Sequence, residues 1–279
     1  MSFPPWSYFV GSAVFHYLGP SFAVLLFPRV GPLGVAGIRI WSAAAVFAVW
    51  RRLWRTSRGR NRRTVLVWGA VLAAMNVSFY MAIARLPLAT VAAIEFLPVI
   101  LLAALGVRTG RNIVALGAAV GGVYVLTEVR IGGEPLGFVF AFANAALFAL
   151  YIVVAHKAAR SDAGGIDGLA MAMAAASVFV LPVGGVQAVP ALADPVALVA
   201  GIGVGISSSV IPYVCDQFAM ARLGRATYAL MVSLLPATAT VTGLVVLRQV
   251  PTPAEIAGVG LVVAGVAVHR GEVEKRGEP

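Results

Sequence analysis

The residues able to do chemistry stand inside long apolar runs, which is what makes them conspicuous. Glu95 lies near the middle of the run LATVAAIEFLPVILLAALG (88–106). Placing a charge at bilayer depth costs at least about 2.5–3.5 kcal/mol on insertion scales, so an ionisable group there is a candidate for function by default. Glu95 could bind an amine, load and unload a proton as a site changes sides, or act as a static partner that fixes helix packing. Arg39 lies in the run PLGVAGIRIWSAAAVFAVW. It could hold a carboxylate in bidentate fashion, pair with Glu95, or snorkel to an interface. His16 sits near the centre of the first run, either as a neutral imidazole bonded to a neighbouring helix or as a proton relay. Asp216 is nearer the end of its run, where water is close, and a solvated helix-end carboxylate competes with a functional reading.

Helical spacing collects further polar groups into faces. Asn76 and Tyr80 are four apart and share one side. Ser209, Tyr213 and either Asp216 or Gln217 fall at i, i+4 and i+7 or i+8, while Ser207 and Ser208 add hydroxyls and Pro212 frees a backbone carbonyl. A polar stripe broken by proline suits a central cavity, because unwound backbone at membrane depth is tolerated only where protein or water covers it. Ser and Tyr also serve as interhelical glue. Asn144 and Tyr151 are positioned to contribute from a sixth span. Gly117, Gly121 and Gly122, with Gly258, Gly260 and Gly265, recur at close-packing intervals and need no ligand.

Other chemistries find little support. Three His, one Cys and no HExxH leave no ligand set for a metal, and no cofactor is expected. GISSS (205–209) lacks the final glycine and the strand context of a hydrolase elbow. An intramembrane serine enzyme using Ser207–Ser209 with His16 or His156 is therefore disfavoured. No GxxxxGK[ST] is present, which argues against ATP-driven transport by this chain.

The elements that must position these residues follow from composition. Of 279 residues, 60% are apolar and 11% charged, against about a quarter charged in a soluble domain. Low charge excludes disorder, and Cys215 alone excludes a disulfide scaffold. The N-terminus MSFPPWSYFV has no basic n-region, so no cleaved signal peptide is expected. A spanning helix needs about 20 apolar residues. The sequence accordingly predicts an all-α integral membrane protein with ten spans near 6–27, 32–50, 64–84, 87–107, 111–127, 135–156, 166–186, 196–220, 225–247 and 254–269. Very short connections at Arg85–Pro87 and Leu223–Gly224 predict tight hairpins.

Of the 21 Lys and Arg, seven crowd into RRLWRTSRGRNRR (51–63). Without base-stacking aromatics in a folded module, this reads as a cytoplasmic loop and gives no reason to expect nucleic acid. With the N-terminus inside, cytoplasmic segments hold sixteen basic residues and the opposite face four, namely Arg29, Arg85, Arg130 and Arg248. Both termini are thus expected in the cytoplasm, in the cell's cytoplasmic membrane.

An internal repeat is legible. ARLPLAT (84–90) recurs as ARLGRAT (221–227), IVALGAAVGGVYV (113–125) aligns with IAGVGLVVAGVAV (256–268), and AAVF (44–47) matches ASVF (176–179). The expected units are residues 1–130 and 131–270, five spans each, with a tail at 271–279. Five is odd, so tandem copies must lie in opposite orientation. Two inverted five-helix repeats are an architecture of secondary transporters.

Four stretches carry a family resemblance: SFAVLLFPRVGPLGVAGIR (21–39), VAAIEFLPVILLA (91–103), ALFALYIVVAHKA (146–158) and SSSVIPYVCDQFAMARLGRATYALMVSLLPATATVTG (207–243). They resemble the drug/metabolite transporter superfamily, its EamA family, and within it the threonine/homoserine exporter group. The resemblance implies a ten-helix carrier that exports small amino acids or related metabolites, driven by proton entry, with the bilayer, a small-molecule substrate and protons as partners and a homodimer left open. Drugs, nucleosides or lipid-linked metabolites are alternative cargoes, and a lipid flippase or a passive channel could share the fold. The chain departs from the family's usual pattern at Leu235-Pro236, Asp216-Gln217 and Arg248-Gln249.

Overall fold

Proline and glycine set the breaks between the elements. Pro32, Pro135, Pro195 and Pro253 each open a helix, where a missing N–H is no loss and the fixed φ suits the first turn. Gly31, at φ 77°, turns the chain between the first two helices in a conformation that a side chain would strain. The computed structural model describes residues 5–52, 62–106, 109–128, 134–159, 165–220 and 235–268. All regular elements among them are helical: α1 (Pro5–Val30), α2 (Pro32–Arg51), α3 (Arg62–Ile83), α4 (Leu88–Gly106), α5 (Gly110–Glu128), α6 (Pro135–Ala159), α7 (Gly165–Ala193), α8, α9 (Leu235–Leu247) and α10 (Pro253–Val268). Helix α8 runs as Pro195–Gly205, widens into a π-helical turn at Ile206–Val210, and continues as Ile211–Met220.

The ten helices follow the order predicted from hydropathy. Six are long and apolar enough to cross a membrane, over Val10–Val30, Pro32–Arg51, Arg62–Ile83, Pro135–Ala155, Ile166–Ala193 and Pro195–Cys215. The apolar parts of α4, α5, α9 and α10 are shorter over the described residues. One boundary differs clearly. The seventh helix continues to Ala193, past Pro190, instead of stopping near 186; proline is tolerated inside membrane helices, and Pro182 stands inside this one as well. It ends where Asp194 caps α8 by accepting the N–H groups of Val196 and Ala197, both at 3.1 Å. That bond from Ala197, with Arg29 at 3.2 Å, holds the Asp194 carboxyl below the usual aspartate range. The expected hairpin at Leu223–Gly224 lies outside the described residues.

Close packing fixes two helix pairs. α2 lies against α7, joined at one end by Arg51 and Asp167 (2.5 Å), in the middle by Trp41 Nε1 donating to the Ser177 carbonyl (2.9 Å), and at the other end by the Leu33 N–H donating to Gln187 Oε1 (3.1 Å). α5 lies against α10 so closely that a Cβ on Gly122 would stand 2.5 Å from the Gly258 carbonyl oxygen. Around these pairs, α3 packs on α6 and α7 as α8 packs on α1 and α2, and α4 packs on α6 as α9 packs on α1. Each of those pairings becomes its counterpart when every helix is replaced by the one five places along.

The outward faces are apolar. Val186 is 78% exposed and Leu192 75%, with Val178, Val189, Val199 and Val245 similarly uncovered. Continuous apolar surface of this extent on so many helices is that of a multi-pass membrane protein, whose solvent is lipid.

Candidate functional site

Halfway along the bundle, α1, α2, α3, α4, α6 and α8 line a cavity of about 40 Å³. Its polar lining comes from His16, Arg39, Asn76, Glu95, Asn144, Tyr151 and Tyr213, and its apolar lining includes Met75, Phe79 and Phe148. Seven of the residues singled out in the sequence, His16, Arg39, Asn76, Glu95, Asn144, Tyr151 and Tyr213, therefore reach one cavity. Tyr80 and Ser209 stand behind it and hold Arg39. Asp216 and Gln217 belong to the last turns of α8, and their side chains lie outside the described residues.

Arg39 is 6% exposed and does not snorkel. Its Nε donates to Ser209 Oγ at 2.8 Å and its Nη2 to the Ser208 carbonyl at 3.0 Å. That carbonyl is available because Pro212, four residues on, has no N–H to give it. The π turn widens α8 at this place, and glycines let the neighbours approach: a Cβ on Gly205 would overlap Ser42 and stand 2.7 Å from the Arg39 carbonyl oxygen, and one on Gly19 would meet Ser208 Cβ at 2.5 Å. The Tyr80 ring lies under the guanidinium, 5.5 Å from Cζ to ring centroid, a cation–π contact strengthened by burial. The guanidinium also borders the cavity.

Glu95 is equally buried, 6% exposed. Its Oε1 accepts Asn144 Nδ2 at 3.2 Å, and Oε2 accepts the Tyr17 hydroxyl at 3.5 Å. Arg39 and Glu95 face the same space without pairing. Among the described residues the ion pairs are Arg29 with Asp194 and Arg51 with Asp167. The expected alternative of a static Arg39–Glu95 bridge is not what the structure forms. Asn144 spends its N–H on Glu95, so its Oδ1 is buried with no partner, an acceptor at the edge of the cavity. Orphaned buried acceptors are rare and call for an explanation.

His16 packs edge-on against Tyr17, with centroids 5.2 Å apart, and makes no hydrogen bond to a neighbouring helix among the described residues. Asn76 lines the cavity while its Nδ2 donates back to the Leu72 carbonyl at 2.8 Å. An aromatic column closes the side of the cavity nearer Trp68. Phe96 meets Phe148 at 6.1 Å, Phe148 stacks on Tyr151 at 6.2 Å and 13°, and Tyr151 tilts against Trp68 at 6.3 Å. Tyr17 is the one polar contact of Glu95 that sequence reasoning missed. Its only signal was adjacency to His16, and a tyrosine in a membrane helix reads first as packing.

Comparison with known proteins bears on what this arrangement does. Residues 135–270 match the EamA-like transporter family. The threonine/homoserine exporter RhtA of Escherichia coli (strain K12) is 28% identical over 250 residues, covering 88% of this chain and 84% of that protein. Its namesake from Salmonella typhimurium (strain LT2) is 28% identical over 253 residues, with the same coverage. A solved crystal structure shares the fold, with a TM-score of 0.59 over 94% of this chain and 96% of the other at 21% identity.

Proposed function

We propose, from the match of residues 135–270 to the EamA-like transporter family and the 28% identity to RhtA over 88% of the chain, that this chain is a transporter of that family and exports small amino acids of the threonine/homoserine kind, exchanging them for protons by alternating access. It is a membrane transporter, not an enzyme. The observation that carries the finer reading is one cavity, at mid-depth, with a guanidinium on one wall and a carboxylate on another, and no ion pair between them. A zwitterion answers both. Its carboxylate goes to Arg39 and its ammonium to Glu95 with Asn144 Oδ1, in a cavity of about 40 Å³ that alternating access must widen to admit it. A proton arriving at Glu95 removes the charge that holds the ammonium, so proton loading and substrate binding exclude one another.

The same geometry supports protons over sodium. A sodium site at a broken helix is built from freed carbonyls and hydroxyls, and here that pair, the Ser208 carbonyl and Ser209 Oγ, is taken by Arg39. Alternating access is supported by the two units read at 1–130 and 131–270, with the tail at 271–279, and by helix pairings that repeat five places along. The basic residues favour both termini in the cytoplasm of a cell whose cytoplasmic membrane the chain spans.

The test is uptake of labelled threonine, homoserine and other amino acids into inside-out vesicles, with and without an imposed proton gradient, for wild type and Glu95→Gln. Saturable, gradient-driven uptake that is lost in Glu95→Gln is expected. If folded, inserted protein accumulates no amino acid, the cargo assignment fails and drugs, nucleosides and lipids come next. If Glu95→Gln transports like wild type, Glu95 is not the coupling residue.

A further inference from the structure

A second cavity opens at the face carrying the connections 83–88 and 248–252, between α1, α4, α9 and α10. It measures about 400 Å³, within the size of small-molecule pockets. It is a different space from the central cavity, although α1 and α4 line both. α4 turns Thr90 to this one and Glu95 to the other, five residues or about 7.5 Å along the helix. Between them α4 carries Val91, Ala92, Ala93 and Ile94, all fully buried.

The polar groups of this vestibule have two poles. At one, α4 begins. Its Leu88 N–H donates to Gln249 Oε1 at 3.2 Å, while the next two amides, of Ala89 and Thr90, take no partner among the described residues and carry the positive end of the helix dipole. Thr90 is 1% exposed and lines the cavity, and its hydroxyl makes no hydrogen bond among the described residues. Arg85 borders the same end. Its Nη1 donates to the Met81 carbonyl at 2.8 Å and its guanidinium lies over Phe140, 5.4 Å from the centroid, with no carboxylate partner among the described residues. At the other pole Glu255, 3% exposed, caps α10 by accepting the Thr252 N–H at 2.8 Å.

We infer that this vestibule is a second binding site for a small zwitterion, its carboxylate on Arg85, Thr90 and the α4 amides and its ammonium toward Glu255. It rests on the export reading for the identity of the zwitterion, and it gives exported substrate a place to pause after leaving the central cavity. A dicarboxylate is disfavoured by Glu255, and a simple amine by Arg85.

The probe is a cysteine at Val250, which lines the vestibule and is 76% exposed, introduced into full-length Cys215→Ser protein in membranes. The rate of its modification by a charged thiol reagent is read with increasing threonine, homoserine or acetate. Threonine is expected to slow labelling several-fold at saturation. Arg85→Gln and Thr90→Val should each raise the concentration needed by about ten-fold or more, the loss of a charge-assisted hydrogen bond. Both variants must label at the wild-type rate without ligand. Glu95→Gln should leave the protection in place. Absence of protection by all three compounds overturns the site. So does protection that survives Arg85→Gln and disappears in Glu95→Gln, because the ligand then sits in the central cavity. Arg85-dependent protection together with no amino-acid uptake into vesicles would sink the export reading and leave the site standing.

Discussion

Arg39 binds with three edges of one planar group. Two of them, Nε and Nη2, are committed to Ser209 and the Ser208 carbonyl, and the Tyr80 ring lies under the plane where the residue lines the cavity. Lysine cannot reproduce this, since a single ammonium on a flexible stem has no fixed fork. Arg39→Lys is therefore expected to insert and fold yet lose about ten-fold or more in initial uptake rate, the cost of about 1.5–3 kcal/mol for a charged hydrogen bond. Uptake kinetics beside a thermal melt measure this, and wild-type rates in the lysine variant would contradict the assigned role. Arg39 and Glu95 were legible in the sequence because charge inside an apolar run is expensive and must have a reason. Their non-pairing was not legible. It depends on α8 presenting a freed carbonyl to Arg39, and on Asn144 and Tyr17 reaching Glu95 from positions 49 and 78 residues away.

Among the elements, α5 and α10 give the sharpest contrast between glycines. A Cβ on Gly122 meets the Gly258 carbonyl at 2.5 Å, whereas one on Gly117 or Gly121 meets nothing within 4 Å. Gly122→Ala should force the two helices apart and cost about 1–3 kcal/mol, as overpacking does. Gly117→Ala should be neutral or slightly stabilising, since alanine is the better helix former. Parallel melts in one lipid or detergent settle it, and equal effects would contradict the packing. The sequence reading treated these glycines as one class, because spacing cannot say which face meets a neighbour. The helices themselves were legible, since hydropathy and proline placement give their number and most of their ends. The π turn in α8 was legible only as a proline after three serines. Its register is set by what α1 and α2 press against it, which is tertiary information.

For the whole molecule, the uneven basic charge predicts which way the bundle sits. A reporter that fluoresces only in the cytoplasm, fused after Pro279, should be bright, and one active only outside should be silent; the reverse result would invert the assignment of every connection. That reading rests on sequence counts, whereas the shared cavity of Arg39 and Glu95 needed coordinates. The long reach of Arg39 also bears on how the protein is made. Its two hydrogen-bond partners arrive 169 and 170 residues later in the chain, after α3 to α7 have been synthesised. Until then α2 must wait in the bilayer with an unsatisfied cation, at a standing cost of a few kcal/mol. Synthesis that stops after the first five helices leaves that guanidinium with the Tyr80 ring but neither hydrogen-bond acceptor, so a residue lining the central cavity is also the chemical mark of an unfinished molecule.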